Sequence, residues 1–186
     1  GDIDWAAVAA DGVDFAIIRL GYRGYTQGAI QTDSCFYQNI QGALDAGLDV
    51  GVYFFSQAIT PEEARQEADY TLSLLESYPI TCPVVYDWEP ITFAEGARTD
   101  QLEHEVLTQC AAAFCQRVAQ AGYTPAVYFN QEMGYFSFDL KELSPFQFWL
   151  AEYDSYPSFY YGFTMWQYTH EGRVDGIQTP VDWNLD

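Results

Sequence analysis

The segment VVYDWEP, residues 84–90, begins as an apolar stretch and ends with two acids. Its β-branched residues and tyrosine predict a buried strand, and a single tryptophan separates Asp87 from Glu89. Side chains two positions apart on a strand share a face, about 7 Å apart along it. Both carboxylates are therefore predicted to project together, and each raises the pKa of the other because like charges resist joint ionisation.

Such a pair can be a helix cap or a solvated turn, but two further features favour chemistry. A third acid, Asp182, stands at another predicted strand end, in VDWN, and aromatic residues recur at the ends of the other strands. These aromatics are Tyr53, Phe55, Tyr128, Trp149, Tyr153, Trp166 and Tyr168. Glycoside hydrolysis needs one carboxylic acid to protonate the leaving oxygen and a second carboxylate. Sugar rings stack on aromatic side chains, so the set predicts an apolar cleft with few polar groups.

The elements that must position these residues alternate along the chain. Hydrophobic periodicity predicts strands at 15–22, 49–56, 82–89, 124–130, 146–153 and 163–169, with helices at 33–47, 60–77 and 99–122. Thr60 is a predicted helix cap, followed by Pro61 at the first helical position, and glycines close the other two helices. Alternating strands and helices predict a parallel α/β sheet, in which the carboxyl ends of the strands carry the site. The late connections are too short for full helices, so the second half is predicted to be richer in strand.

Composition limits the classes of partner. The chain of 186 residues predicts one domain, 1–186, and its 27 acidic against 7 basic residues give a net charge of −20. Such a charge repels phosphate backbones and anionic membranes, so we expect no nucleic-acid partner. We also expect no membrane insertion, because no apolar run reaches about 18 residues. The spacing of the four cysteines fits no metal motif, which favours free and mostly buried thiols.

The chain resembles the lysozymes of glycoside hydrolase family 25 almost from end to end. GVDFAIIRLGY and AGLDVGVYFFSQA are similar to the family's second and third strands, and PVVYDWE resembles the D-x-E segment of its fourth strand. FWLAEYD and MWQYTHEGRVDGIQTPVDWN are similar to the closing strands. The resemblance rests on the order and spacing of these segments together.

This resemblance implies an irregular, flattened (β/α) barrel and a secreted, cell-wall-associated muramidase. Such an enzyme cuts the β-1,4 bond between N-acetylmuramic acid and N-acetylglucosamine in peptidoglycan, without a metal or other cofactor. By position, Glu89 would be the general acid, Asp87 would hold the substrate's 2-acetamido group, and Asp182 would support the charged transition state. The resemblance assigns the sugar subsites to Tyr53, Tyr128, Trp149 and Gln167.

The chain departs from the family pattern at its beginning. Members usually open with a strand like G-x-D-V-S-x-W-Q, whose aspartate belongs to the active site, immediately before a segment like GDIDW. This chain begins at that segment, at Gly1, so the resemblance implies a domain that is incomplete at its N-terminus and lacks the first strand. A barrel without one strand exposes two unpaired edges, which leads to the hypothesis of self-association through an edge. Light scattering tests that hypothesis.

Two other interpretations remain open. YDWEP also resembles the end of a chitinase motif, D-x-x-D-x-D-x-E, although Val84 and Val85 stand in the run that should carry the earlier acids. The other interpretation is a lysozyme-like barrel that binds cell-wall glycan without cutting it. Saturable binding with no new reducing ends would distinguish that module from an enzyme.

Overall fold

A curled sheet of eight strands organises the computed structural model, which describes residues 2–186. Gly1, the first residue of the predicted domain, lies outside the described residues. The spatial order is β2-β1-β3-β4-β5-β6-β7-β8. The strands are β1 (Phe15–Arg23), β2 (Ile30–Thr32), β3 (Asp49–Phe55), β4 (Val84–Asp87), β5 (Pro125–Asn130), β6 (Gln147–Ala151), β7 (Met165–Gly172) and β8 (Val181–Leu185). In this order, the six strands from β1 to β7 without β2 are parallel to one another. Strand β2 pairs antiparallel with β1 at one end of the sheet, and β8 pairs antiparallel with β7 at the other.

The helices are α1 (Trp5–Ala10), α2 (Phe36–Asp45), α3 (Pro61–Leu75), α4 (His104–Gln120), α5 (Gln131–Phe136) and α6 (Leu140–Leu143). Helices α2, α3 and α4 alternate with the early strands as predicted, whereas α1 precedes β1 and the short α5 and α6 both follow β5. The predicted start of α3 is confirmed: Thr60 Oγ1 accepts the Glu63 backbone N–H at 3.2 Å, and Pro61 is the first helical residue. Gly47 has φ +83° just beyond α2, a left-handed conformation in which glycine alone is unstrained. The second half contains only short helices after α4, as expected.

Alternation along each strand separates two faces of the sheet. On the outer face, Val52, Val84, Val127 and Leu150 are fully buried beneath the helices. The inner, concave face has a smaller apolar cluster of Val85, Ala126, Trp149 and Met165, against which Tyr53 and Tyr128 pack. Adjacent residues of one strand thus belong to different surroundings, because successive strand side chains point to opposite faces.

The sheet is a curled half-barrel within residues 2–186, because β1 and β8 are not paired with each other there. Among the same residues, no helix is both long and apolar enough to span a membrane. All four cysteines are free: Cys110 and Cys115 are buried, and Cys35 and Cys82 are partly buried. The expectation of mostly buried thiols is correct for two of them.

Candidate active site

Strand β4 brings Asp87 to the concave face of the sheet. Its residues alternate so that Val84 and Tyr86 face the helices, whereas Val85 belongs to the inner cluster. Asp87 follows on the inner side, buried at 6% exposure, and no described residue donates a hydrogen bond to its Oδ1. Burial and then the negative charge of Glu89 raise the pKa of Asp87 well above its usual value, while Arg19 opposes them. The two acids thus line one cavity, and the predicted effect of one on the other is found for Asp87, whereas Asp87 is not among the causes that raise the pKa of Glu89.

Glu89 lies beyond the strand rather than in it. The strand predicted for residues 82–89 begins at Val84 and ends at Asp87, so Glu89 stands two residues beyond it, in the connection that follows. That correction has a physical reason: Pro90 cannot donate a ladder hydrogen bond and restricts the residue before it. Glu89 is half-buried, and burial followed by the negative field of Asp182 raises its pKa. Its carboxyl thus holds its proton to a higher pH than an exposed glutamate.

Asp182 lies near the start of a strand, not at the strand end that its sequence context predicts. Asp182 is the second residue of β8, which runs antiparallel to β7. Val181, the first residue of β8, therefore pairs with Gly172 at the carboxyl end of β7. Antiparallel pairing therefore brings Asp182 to the same edge of the sheet as Asp87 and Glu89. Partial withdrawal from water raises the pKa of Asp182, and His170 opposes that shift.

Three aromatic side chains form the concave wall below and beside the acids. Tyr128 is the β5 partner of Asp87 in register, and Tyr53 is the β3 partner of Val85. Trp149 packs edge-on against Tyr128 with ring centroids 5.0 Å apart. All three lie inside their strands, two residues before the last strand residue, rather than at the strand ends where the sequence pattern predicts them. Burial, with the nearby carboxylates, raises the pKa of both tyrosines, so their hydroxyls stay protonated donors.

Gln167 joins the wall through its carbonyl oxygen. Its side chain is buried, and its Oε1 accepts the hydroxyls of Tyr128 at 3.1 Å and Tyr153 at 2.7 Å. Two tyrosine hydroxyls are thus held by one amide, which leaves the amide NH₂ as the group that can donate to a ligand. Gln167 therefore reaches the site, and it also orients two of the aromatic side chains.

Sequence reasoning missed two polar residues that organise the site. Asn184 on β8 accepts the Trp149 indole N–H at 2.9 Å, which fixes the ring from across β7, the strand between β6 and β8. Arg19 on β1 stacks its guanidinium over Tyr22 and Phe55, and its field lowers the pKa of Asp87 against the effect of burial. A signal for Arg19 was visible, because a single cation stands in the otherwise apolar run FAIIRLGY.

A cavity of about 850 Å³ joins all seven predicted site residues. It runs from the acids to the opening between β1 and β8, where Ile17 and Trp183 are among its lining residues. The predicted set lining this cavity is Tyr53, Asp87, Glu89, Tyr128, Trp149, Gln167 and Asp182. The volume suits an extended ligand with several rings.

Carboxyls of raised pKa in an aromatic cleft form the arrangement that glycoside hydrolysis requires. A protonated Glu89 can donate to a leaving oxygen, the remaining carboxylates can stabilise positive charge, and the aromatic wall can hold sugar rings. The fold and the site are together typical of a glycoside hydrolase.

Comparison with known proteins identifies the family. The sequence pattern of glycosyl hydrolases family 25 matches residues 1–177, and the chain belongs to that family. It is 29% identical over 196 residues to lysozyme M1 of Streptomyces globisporus, covering 99% of this chain and 63% of that protein. It is 26% identical over 183 residues to the autolytic lysozyme of Clostridium acetobutylicum, covering 98% and 51%.

A solved structure shows the same fold. The modular autolysin LytC of Streptococcus pneumoniae, in complex with a synthetic peptidoglycan ligand, matches with a TM-score of 0.75 and 27% identity. The match covers 98% of this chain and 43% of LytC. This chain therefore spans about half to two-thirds of the curated relatives it matches and less than half of LytC.

Proposed function

We propose that this chain is a peptidoglycan hydrolase, an N-acetylmuramidase that cuts the β-1,4 bond between N-acetylmuramic acid and N-acetylglucosamine. The observation that carries the proposal is Glu89: a half-buried carboxyl, its pKa raised by burial and by Asp182, at the edge of an aromatic-walled cleft. Membership of family 25 and the names of the relatives, two of them lysozymes, support this choice of substrate.

Glu89 is the general acid of the proposed reaction. It protonates the glycosidic oxygen as the bond to the anomeric carbon breaks, so the leaving sugar departs as a neutral alcohol. The raised pKa suits this role, because a carboxyl at its ordinary pKa would be ionised at neutral pH and could not donate.

Asp87 and Asp182 supply negative charge where the sugar ring becomes positive. Asp87 is the more deeply buried of the two, and burial opposes its ionisation, but positive charge that develops beside it favours the ionised form and is little screened by water there. Asp87 also holds the 2-acetamido group of the substrate. Asp182 lies at the exposed rim, keeps Glu89 protonated through its field and stabilises the transition state from the other side.

Tyr53, Tyr128 and Trp149 bind the sugar rings on their faces and edges. The Gln167 amide NH₂ donates to a sugar hydroxyl, since its carbonyl already accepts from two tyrosines. We infer that peptidoglycan strands are the partner, as in the LytC complex, whose ligand is synthetic peptidoglycan. The place of action that follows is the cell wall, reached by a secreted protein.

Digestion of purified peptidoglycan tests the proposal. The fragments are reduced and their new ends analysed by mass, and new ends at N-acetylmuramic acid are the expected result. Cleavage of chitin but not of peptidoglycan would favour a chitinase. Saturable binding to peptidoglycan with no new ends at all would favour a module that binds glycan without cutting it, and would contradict the proposed enzyme.

A further inference from the structure

A group of exposed aromatic side chains lies outside the cleft. Four of them form a surface that we call the aromatic ridge: Tyr135 and Phe136 at the end of α5, and Tyr160 and Tyr161 in the loop between β6 and β7. Phe136 is 69% exposed and Tyr160 is 85% exposed. Large aromatic side chains leave this much area in water only at a cost, so a cluster of them marks a binding surface.

The aromatic ridge rests on a buried aromatic base. Phe159 is buried, and its ring centroid lies 4.8 Å from that of Tyr135 and 5.8 Å from that of Tyr161. The rings of Tyr160 and Tyr161 meet edge to face at 5.3 Å. The rings therefore contact one another as a continuous patch and are not scattered singly over the surface.

Hydrogen bonds fix the backbone that carries the patch. The Glu152 carboxylate accepts from the backbone N–H groups of Ser158, at 2.8 Å, and Phe159, at 3.2 Å, and from the Ser158 hydroxyl. The Tyr160 backbone N–H donates to the Tyr135 hydroxyl at 2.8 Å, which ties the loop to α5. A surface that is ordered before binding loses less entropy when a ligand docks, so these contacts favour recognition.

The aromatic ridge lies at the same edge of the sheet as the acids of the cleft, and its base packs on the outer face, where the ring centroid of Phe159 lies 5.5 Å from that of Phe129. Helix α5 begins directly after β5 ends at Asn130, and the loop begins directly after β6 ends at Ala151. Both therefore extend from the carboxyl ends of parallel strands, the edge at which Asp87 and Glu89 also lie. Tyr153 connects the two surfaces, because it lies in the ridge loop and its hydroxyl bonds Gln167 in the cleft wall.

We propose that the aromatic ridge is a second glycan-binding surface, outside the cleft, that holds the part of a long sugar strand extending beyond the cleaved bond. This inference rests on the proposed function and deepens it, since it implies that the protein binds long glycan strands in preference to short fragments. Tyrosine rings pair an apolar face with a polar tip, which matches the apolar faces and hydroxyl rims of pyranose rings. The exposed acids Glu132 and Asp154 nearby disfavour phosphate-rich polymers and anionic lipids.

The test is binding of the intact chain to insoluble, purified peptidoglycan, measured by co-sedimentation. The test variant is Phe136→Ala with Tyr160→Ala, which removes two exposed rings and leaves the buried Phe159 in place. Tyr37→Ala is the matched control, because Tyr37 is a 55% exposed aromatic on α2, a helix that packs on β1 and β3. Thermal unfolding of each variant confirms that the fold is intact.

We expect the double variant to bind peptidoglycan about tenfold more weakly than the wild type or Tyr37→Ala. The same difference is expected with glycan strands freed of their stem peptides, and no difference in kcat/KM on short soluble fragments. Equal binding by the double variant and the wild type overturns the proposal. So does a difference that disappears when the peptides are removed, which would assign the surface to peptide recognition.

The binding measurement does not depend on cleavage, so failures of the two proposals are distinguishable. Weaker binding by the double variant when no chain releases fragments supports the aromatic ridge and contradicts the enzyme. Normal release of fragments with unchanged binding and unchanged KM on the polymer supports the enzyme and overturns the ridge.

Discussion

The two faces of the curled sheet use the same strands for opposite purposes. On the outer face, Tyr86 and Phe114 are fully buried between sheet and helix, with ring centroids 5.5 Å apart. On the inner face, one position further along β4, the buried Asp87 carries an ionisable group whose Oδ1 receives no hydrogen bond from a described residue. At Tyr86 and Phe114 the outer face excludes water from apolar rings, whereas at Asp87 the inner face removes water from an ionisable group.

This difference separates stability from chemistry within a few residues. Burial of apolar area stabilises the fold, but burial of a carboxylate costs free energy unless the group takes up a proton. The cost is also what raises the pKa values of Asp87 and Glu89 towards a useful range. Removing apolar atoms on the outer face should therefore lower stability without changing activity. Removing a buried carboxylate on the inner face should lower activity and raise stability.

The largest effect on stability is expected from Phe114→Ala on the outer face. Removing a fully buried ring leaves a cavity, so the free energy of unfolding should fall by about 3–5 kcal/mol. Chemical denaturation measures it, with Phe93→Ala as control, because Phe93 is exposed and its truncation should cost little. The kcat of the folded fraction should not change. A change below about 1 kcal/mol, or a loss of kcat at unchanged stability, would contradict the assignment of faces.

Asp87→Asn on the inner face should lower activity and raise stability at neutral pH. We expect kcat to fall on the order of 10²-fold, as when one electrostatic stabiliser of a transition state is removed, with a smaller effect on KM. Steady-state kinetics on peptidoglycan measure this. An unchanged kcat with a raised KM would show instead that Asp87 serves binding alone.

The stability effect of Asp87→Asn has a defined pH dependence. Because the pKa of Asp87 is higher in the folded chain than in the unfolded chain, its contribution to stability is fully present below the ordinary value of 3.8. It is lost as pH rises through the higher folded pKa. The asparagine variant should therefore gain most over the wild type at neutral pH and lose that gain as pH falls towards 3.8. Melting temperatures across this range, with Asp45→Asn on α2 as control, should show the gain only for position 87.

The smallest effect is expected from Asp182→Asn, at the exposed rim. Its negative charge helps to raise the pKa of Glu89, so its removal should lower that pKa. Glu89 would then lose its proton at a lower pH, and the alkaline limb of the kcat/KM profile should move towards acid. Asp45→Asn should leave the limb in place. If the alkaline limb of the Asp182→Asn profile kept its position or moved to higher pH, the charge of Asp182 would not be what raises the pKa of Glu89.

The spacing of apolar residues and local capping signals predict the parallel core, and the seven candidate site residues line one cavity. Alternation of apolar residues predicts the strands around Val52, Val84 and Val127. The helical spacing of apolar residues, with the capping residues, predicts the helices α2, α3 and α4. The predicted start of α4 at residue 99 was wrong, because helix begins only at His104. The short elements β2, α5 and α6 were not predicted, since three to six residues carry too little periodicity.

The site residues that sequence could not place depend on contacts distant in the chain. Asp182 reaches the acids only because β8 turns antiparallel to β7, and Asn184 reaches Trp149 across 35 positions. Arg19 pairs in regular register with Tyr53, but its contact with Phe55 on β3 joins residues 36 positions apart and could not be read from local sequence. By contrast, the pairing of Asp87 with Glu89 is local, and spacing alone predicted it.

The most direct test of the central claim compares Glu89→Gln with Glu76→Gln in the rate at which reducing ends appear on peptidoglycan. Glu76 is an exposed carboxyl at the end of α3, so its substitution makes the same chemical change away from the cleft. If Glu89 donates the proton, Glu89→Gln should be slower by about 10²–10⁴-fold or more, bind peptidoglycan normally and fold normally, while Glu76→Gln stays at the wild-type rate. A near-normal rate for Glu89→Gln would contradict its role as the proton donor.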